Sequence, residues 1–527
     1  MNLRMLLAVV PIAVLLSIGM MASESDADER FVTDDGFVCQ VDDDGTVNIL
    51  SYDPKDHQMV ADLIVPENVD NKGKQYTVTK IFAIFNQDGL RSISIPKSIV
   101  HLETPMFEGP DIEEITIDPY NPYYQAVDSV IYSENMFNLE EYPKYKEGGH
   151  FDVPEEVIVI KNGAFTECQL ESITLPSRLF SIERNAFFNC YNLTYINNLD
   201  GTNCLPDTVN VIDEWAFCGC VNLDNLKLSE ELRIIGASAF KSTGLKTVDI
   251  PFNLSTLGSG AFANCLSLER ITCSYNPIFK VQSGVLFKQD GTNTLMCYPA
   301  NKQAEQYTID ASVTDIAPEA FAGCQNLKTV RLPTSMILLS TEAFKDCESL
   351  QKINLNSVWI IGESVFEGCK SLESVTFGSE LISIGQLAFA GSGLKSLTIT
   401  NSIEVVDVEA FASCEDLELV EIAEECAAEI GNKAFLRSFN LSAVSIYGDK
   451  IQMKEGSLDV GDSSEEAFLF VVVPKGYSLP DNTVTNEDYT HVTVQERGER
   501  PYPYENFVAI FVCLLIIIGI FKIFRGV

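Results

Sequence analysis

Histidine is scarce: the 527 residues hold four, His57, His101, His150 and His491. No two of them stand at metal-ligand spacing, which argues against a zinc or other imidazole-built centre. The chain also lacks a glycine-rich phosphate loop, a nucleophile elbow and a zinc motif. Basic residues are few, 36 Lys and Arg against 75 Asp and Glu, for a formal net charge of −39. Phosphate contacts need a basic face, so nucleic acid is not an expected partner. Acidity of this size keeps a surface solvated and resists self-association. The many carboxylates scatter over variable positions, as solvated surface charges do. The expectation is a protein that is not an enzyme and needs no cofactor or metal.

Long apolar runs are confined to the two ends. Near the N-terminus Arg4 precedes an apolar stretch from Met5 to Ile18, broken by Pro11 and Ser17. Residues 1–22 read as a secretory signal peptide, with an uncleaved anchor as the alternative. The second run, Phe507–Phe524, would span about 27 Å as a helix, close to the ~30 Å of a bilayer core. Tyr502 and Tyr504 precede it, and Lys522 and Arg525 mark its cytoplasmic end. The two ends predict a single-pass protein of the cell membrane. Its N-terminal ectodomain is extracellular, its transmembrane helix covers 507–524, and its cytoplasmic tail is 525–527.

Between the ends lies a period. Phenylalanine marks a repeated segment at Phe85, Phe107, Phe165, Phe187, Phe217, Phe240, Phe262, Phe321, Phe344, Phe366, Phe389, Phe411 and Phe435. Most intervals are 22 or 23 residues, which is the signature of a solenoid. Each copy reads as a short helical turn carrying Ala-Phe, then a small residue, a Leu and an alternating strand ending near Pro. In Leu170–Pro176 the alternation buries Leu170, Ile173 and Leu175 and turns Ser172 and Thr174 outward. Two intervals, of 58 and 59 residues, are copies of each other. Residues 119–143 match 274–299, sharing Tyr-Asn-Pro, an apolar run and Tyr-Pro. Each reads as a coil whose helical turn is replaced by a β-hairpin, with Asp290-Gly291 as turn chemistry in the second.

Residues 31–80 lack the mark and read as an N-terminal β cap, since an open solenoid end exposes apolar core. Asp42 and Asp44 before Gly45 hint at a calcium loop. No Glu closes that loop, so a hairpin turn is the better reading. Residues 81–447 form the solenoid, and 448–500 read as a C-terminal cap and stalk.

The motif Ala-Phe-x-x-Cys-x-x-Leu-x-x-Ile-x-Ile-Pro, recurring every 22–23 residues from Asp62 to about Ile446, resembles the BspA-like, or Treponema-type, leucine-rich repeat. The run Gly284–Pro299, "GVLFKQDGTNTLMCYP", also recurs in that family. The expected fold is a right-handed leucine-rich-repeat solenoid, β-rich with short helical turns, of about fifteen coils with two β-hairpin inserts. The resemblance implies a cell-surface protein that adheres to host proteins or other cells. Common members end in a wall-sorting or secretion module, whereas this chain ends in an apolar helix.

The repeat explains a stretch that otherwise resembles a redox site, "EWAFCGC" at Glu214–Cys220. Of fifteen cysteines, eight stand three residues after the marker Phe: Cys168, Cys190, Cys220, Cys265, Cys324, Cys347, Cys369 and Cys414. Other copies carry Asp88, Pro110, Thr243, Ser392 or Ser438 there, so the position wants a small side chain. Identical side chains on stacked coils point in parallel, which is poor disulfide geometry, so the thiols are expected to be reduced. Cys204 with Cys218 is the alternative pair.

A ligand belongs on the face that the strands build. Two and four residues after each repeat Leu lie 26 outward positions, of which thirteen are Ser or Thr. Four are basic, Lys227, Arg270, Arg331 and Lys352, and three are acidic, Glu114, Asp249 and Glu421. An electropositive patch within an acidic shell would steer an extracellular protein ligand of acidic character. Lys246 and Lys328 flank the same strands. Among these outward positions Tyr195 is the one aromatic, which counts against a glycan-binding surface protein. A structural surface-layer role is the other alternative. Asn192, Asn253 and Asn440 stand in glycosylation sequons.

Overall fold

A computed structural model describes residues 30–497, apart from 54–59, 84, 86–88, 108–111, 200, 290 and 292. The signal peptide and the transmembrane segment expected from the sequence lie outside these residues. Among the described residues no helix is long and apolar enough to cross a membrane. The chain divides into two compact units, Met1–Gly244 with Asn253–Ala261, and Leu245–Phe252 with Phe262–Val527.

The first unit opens with a mixed sheet. Arg30–Val32, Phe37–Val41 and Val47–Tyr52 run antiparallel, and Val47–Tyr52 pairs in parallel with Lys74–Ile81. This sheet buries Phe37, Cys39, Val47, Ile49 and Val78 with the first marked coils. Two parallel ladders follow, one per strand of each coil. Asp62–Ile64, Ser92–Ile95 and Glu114–Ile117 pair in register, as do His150–Asp152, Ser172–Thr174 and Tyr195–Asn197. The other ladder begins with the hairpin insert Tyr124–Val127, Val130–Ser133 and Asn138–Glu141. It continues through Val159–Ile160, Ser181–Ile182, Val211–Ile212, Ile234–Ile235 and Thr256–Leu257.

The second unit repeats the plan. Thr247–Asp249 pairs with Arg270–Thr272, and a second insert, Phe279–Gln282, Val285–Gln289 and Asn293–Cys297, leads into Asp315–Ile316. Gln306–Thr308, Thr329–Arg331 and Lys352–Ile353 form one short ladder. A longer one runs from Leu338–Leu339 to Gln452–Met453. The last ladder ends on Ala467–Val473 and Thr490–Glu496, paired in parallel.

The fold is a leucine-rich-repeat β-solenoid, and two expectations need correction. No helix occurs among the described residues, and these make roughly eighteen turns rather than fifteen. The turn count rises because unmarked strands at both ends join the ladders. The Ala-Phe segment is not helical because alternate amides bond in different directions. The amides of Ala164, Thr166 and Cys168 donate back three residues, to Lys161, Gly163 and Phe165. Those of Gly163, Phe165 and Glu167 donate to Arg184, Ala186 and Phe188 in the next coil. The alternation needs left-handed backbone two residues before and two after the Phe, as at Trp215 (φ 56°) and Gly219 (φ 80°). A left-handed residue breaks an α-helix. The arrangement instead gives every coil a set of bonds to its neighbour.

Candidate ligand-binding face

Lys227, Arg270, Arg331 and Lys352 are all exposed. Lys227 lies in the first unit, bridged through its backbone to Cys204. The other three belong to the second unit. Arg331 and Lys352 stand on adjacent strands of one ladder, Lys352 opposite Thr329, so they share a face two residues out of line. Arg270 stands in a separate two-stranded sheet, opposite Thr247.

These four side chains make no ion pair among the described residues, as is also true of Arg178, Arg233 and Lys433. Several cations elsewhere are matched across coils: Lys161 with Glu183 at 3.0 Å, Lys370 with Glu348 at 2.7 Å, and Lys395 with Glu373 at 2.8 Å. Lys345 and Lys454 likewise meet Glu367 and Glu429, each at 3.0 Å. Lys328, expected to add to the patch, is paired with Glu305 at 2.6 Å. A cation already facing a carboxylate adds little field of its own, so the unpaired ones dominate the local potential.

Arg270 also lines a cleft of about 540 Å³ between its strand and the second hairpin insert. Lys302, Asp249, Thr272, Ser274 and Ser283 contribute further polar groups. The Lys302 ammonium donates to the Ser283 carbonyl at 2.7 Å, and the Thr272 hydroxyl donates to Asp249 at 2.8 Å. Lys302 escaped the sequence reading because it lies outside the counted strand positions. Comparing the two inserts position by position would have found it.

Behind the face, the marker rings stack along each unit. Phe165 and Phe187 lie 4.8 Å apart at 4°, and Phe321 and Phe344 lie 4.7 Å apart at 18°. The BspA type leucine-rich repeat region model matches this pattern in six copies, over residues 144–269, 201–293, 296–418 and 356–458. The chain belongs to the BspA-type leucine-rich-repeat family. Solved structures similar to it include a leucine-rich cell surface protein from Faecalibacterium prausnitzii, 22% identical, covering 83% of this chain and all of that one, with TM-score 0.43. The pneumococcal vaccine antigen PcpA is 18% identical over 90% of this chain and 99% of its own, with TM-score 0.40. A leucine-rich repeat protein from Bacteroides ovatus is 20% identical over 88% and 99%, with TM-score 0.31. No curated protein matches.

The BspA-type repeat accounts for several residues that looked functional. The Cys220 thiol donates to the Phe187 carbonyl at 3.1 Å, and Cys347 and Cys369 make the same bond to Phe321 and Phe344 at 3.0 and 3.2 Å. Ser438 does so with its hydroxyl, to Phe411 at 2.9 Å. The position therefore takes a small donor. Burial raises the thiols of Cys168, Cys190, Cys324 and Cys369 well above the usual range, which keeps them protonated and unreactive. None of the fourteen described cysteines forms a disulfide, Cys204 and Cys218 included. Trp215 stacks under the Arg184 guanidinium at 4.7 Å.

Two of the sequon asparagines fill a repeat position as well. The Asn192 amide donates to Gln169 at 3.0 Å, and that of Asn440 to the Glu415 carbonyl at 2.6 Å. Asn253 bonds the Glu230 carbonyl at 3.0 Å. In the N-terminal hairpin Asp44 accepts from the Thr46 amide and hydroxyl at 2.9 and 2.6 Å, while Asp42 pairs with Lys80. The Asp44 carboxylate thus serves the turn, and that of Asp42 ties the hairpin to the strand Lys74–Ile81. Among the described residues no group of three or more His, Cys, Asp or Glu side chains could hold a metal ion.

Proposed function

We propose that this protein is displayed outside the cell and binds an acidic protein ligand on its strand-built face. Phe507–Phe524 is the membrane anchor in this reading, and residues 1–22 direct export. The observation that carries the proposal is the contrast in pairing. In a chain of net charge −39 many cations meet a carboxylate, as Lys161, Lys370 and Lys395 do across coils. Lys227, Arg270, Arg331 and Lys352 do not. Unpaired cations on a Ser- and Thr-rich face offer charge complementarity without a desolvation penalty already incurred. Adhesion is the biological use that the family resemblance suggests.

The test is capture of partners from extracellular-matrix and cell-surface extracts by the full-length chain, followed by affinity measurement with the identified protein. Arg331→Glu with Lys352→Glu should weaken binding about fivefold or more, and added salt should weaken it too. Unchanged affinity in the double variant overturns the face. Ordered self-association without a partner would instead favour a surface-layer role.

One observation favours glycan binding as a second reading. Phe252 and Tyr275 stack at 5.6 Å while remaining 52% and 66% exposed, the kind of platform on which a sugar ring rests. Loss of binding to a glycan array on Phe252→Ala with Tyr275→Ala would support it.

A further inference from the structure

The two hairpin inserts are copies, and their differences converge on one cleft. Backbone hydrogen bonds fix the equivalence. The Tyr142 amide donates to Ala164 as Tyr298 does to Ala320, and Tyr145 donates to Ile112 as Asn301 does to Leu268. Lys146 and Lys302 close the same turn, on Pro143 and Pro299. Each hairpin turns through two left-handed residues, Asp128-Ser129 in one and Ser283-Gly284 in the other. By this register Lys302 corresponds to Lys146, Ser283 to Asp128, and Arg270 to Glu114.

In the first insert the Lys146 ammonium meets the Asp128 carboxylate at 2.9 Å and is only 15% exposed. The second insert has no carboxylate at that place. Lys302 spends one donor on the Ser283 carbonyl, which leaves an ammonium two further donors. The acidic Glu114 has become Arg270, whose guanidinium is unpaired among the described residues. Gly284 keeps the space open: a Cβ there would lie 3.5 Å from Lys302 Nζ and 3.7 Å from Arg270 Cβ. The cleft's own acid, Asp249, is held by Thr272 and opposes a multiply charged anion such as phosphate.

We infer that this cleft receives a single carboxylate, an Asp or Glu side chain of the partner protein, between Arg270 and Lys302. The first insert carries the equivalent carboxylate within its own chain. A guanidinium offers two parallel donors to a carboxylate and an ammonium a point charge, so the pair suits one acidic side chain. The inference rests on the protein-binding reading above and names a subsite within it.

The full-length chain, with lysines reductively dimethylated with carbon-13, is titrated with N-acetylglutamic acid α-amide and followed by NMR. Lys302→Arg assigns the Lys302 signal. That signal should shift saturably while that of Lys146 stays still. Ser283→Asp, which supplies the internal carboxylate, and Arg270→Ser should each raise the half-saturation point about fivefold. No saturable shift at Lys302, or an identical titration in Ser283→Asp, overturns the inference. Methyl glucuronide binding tenfold more tightly than the glutamyl amide would overturn the peptide source in favour of a sugar acid. If Arg331→Glu with Lys352→Glu weakens partner binding while Ser283→Asp does not, the cleft fails and the face stands. If neither variant does so, both fail.

Discussion

At the scale of the residue, the cysteine position shows how much chemistry a repeat can absorb. A thiol three residues after the Phe fills a small volume and donates to the carbonyl of the previous coil's Phe. Both demands are met by Ser438 as well. Cys369→Ser should therefore cost less than about 1 kcal/mol. Cys369→Val adds a methyl group in a fully buried site and removes one of the two donors to the Phe344 carbonyl, which keeps the Cys347 amide, so it should cost about 2 kcal/mol. Chemical denaturation of the two variants decides between donor and volume. The small size was legible in the sequence from Cys alternating with Ser and Thr. The acceptor was not, because it belongs to a residue 25 positions away.

Glu141 is a residue-scale case with no sequence signal. It is 4% exposed and accepts from the Met106 amide at 3.2 Å, while the equivalent position of the second insert holds Cys297. Burial pushes its carboxyl well above the ordinary value, the Met106 bond opposes this, and Glu140 adds to the rise. The folded state thus binds this proton more tightly than the unfolded state. The group's contribution is most favourable below the unfolded value and is lost as pH rises through the folded one. Glu141→Gln keeps an acceptor for Met106 and removes the charge. It should raise stability at pH 7 by about 1–3 kcal/mol and flatten the stability–pH curve above pH ~4.5. A variant no more stable than the parent at pH 7 would refute this.

At the scale of the element, the period was readable and the backbone was not. Thirteen phenylalanines at near-constant spacing announce stacked coils. They cannot announce that the turn alternates between right- and left-handed residues. The left-handed positions are filled by Glu319, Glu342, Ser364, Leu387, Glu409 and Lys433, with φ between 52° and 60°. No single residue type marks them, since the neighbouring coil's amides and carbonyls impose the conformation. The aromatic ladder hid something similar. Tyr142 and Tyr298 stack on Phe165 and Phe321 at 5.0 and 5.1 Å, so the inserts keep a ring in the marker position within a Tyr-Pro pair. Lys433 is exposed, and a left-handed conformation costs a lysine about 1–2 kcal/mol. Lys433→Asn should recover up to about 1 kcal/mol, because Asn tolerates this region, whereas Lys433→Val should lose stability. Thermal unfolding of the pair tests whether the strain is real.

At the scale of the whole molecule, charge acts in two opposing ways. Ion pairs between coils are exposed and each contributes about 0–1 kcal/mol, less as salt rises. Against them stands self-repulsion from a net charge of −39, which added salt relieves. The excess of 75 acidic over 36 basic residues leaves many carboxylates with no cation to meet, so repulsion should dominate. The melting temperature of the full-length chain should then rise between about 0.01 M and 0.5 M NaCl, as the screening length falls from about 30 Å to a few ångströms. Binding of an acidic partner should move the other way, since it depends on attraction to the few unpaired cations on the face. Salt that strengthens the fold and weakens the complex separates the two effects in a single series. A melting temperature that falls with salt would place the inter-coil pairs above the global repulsion. The cations of the face would then stand against a background field weaker than the composition implies.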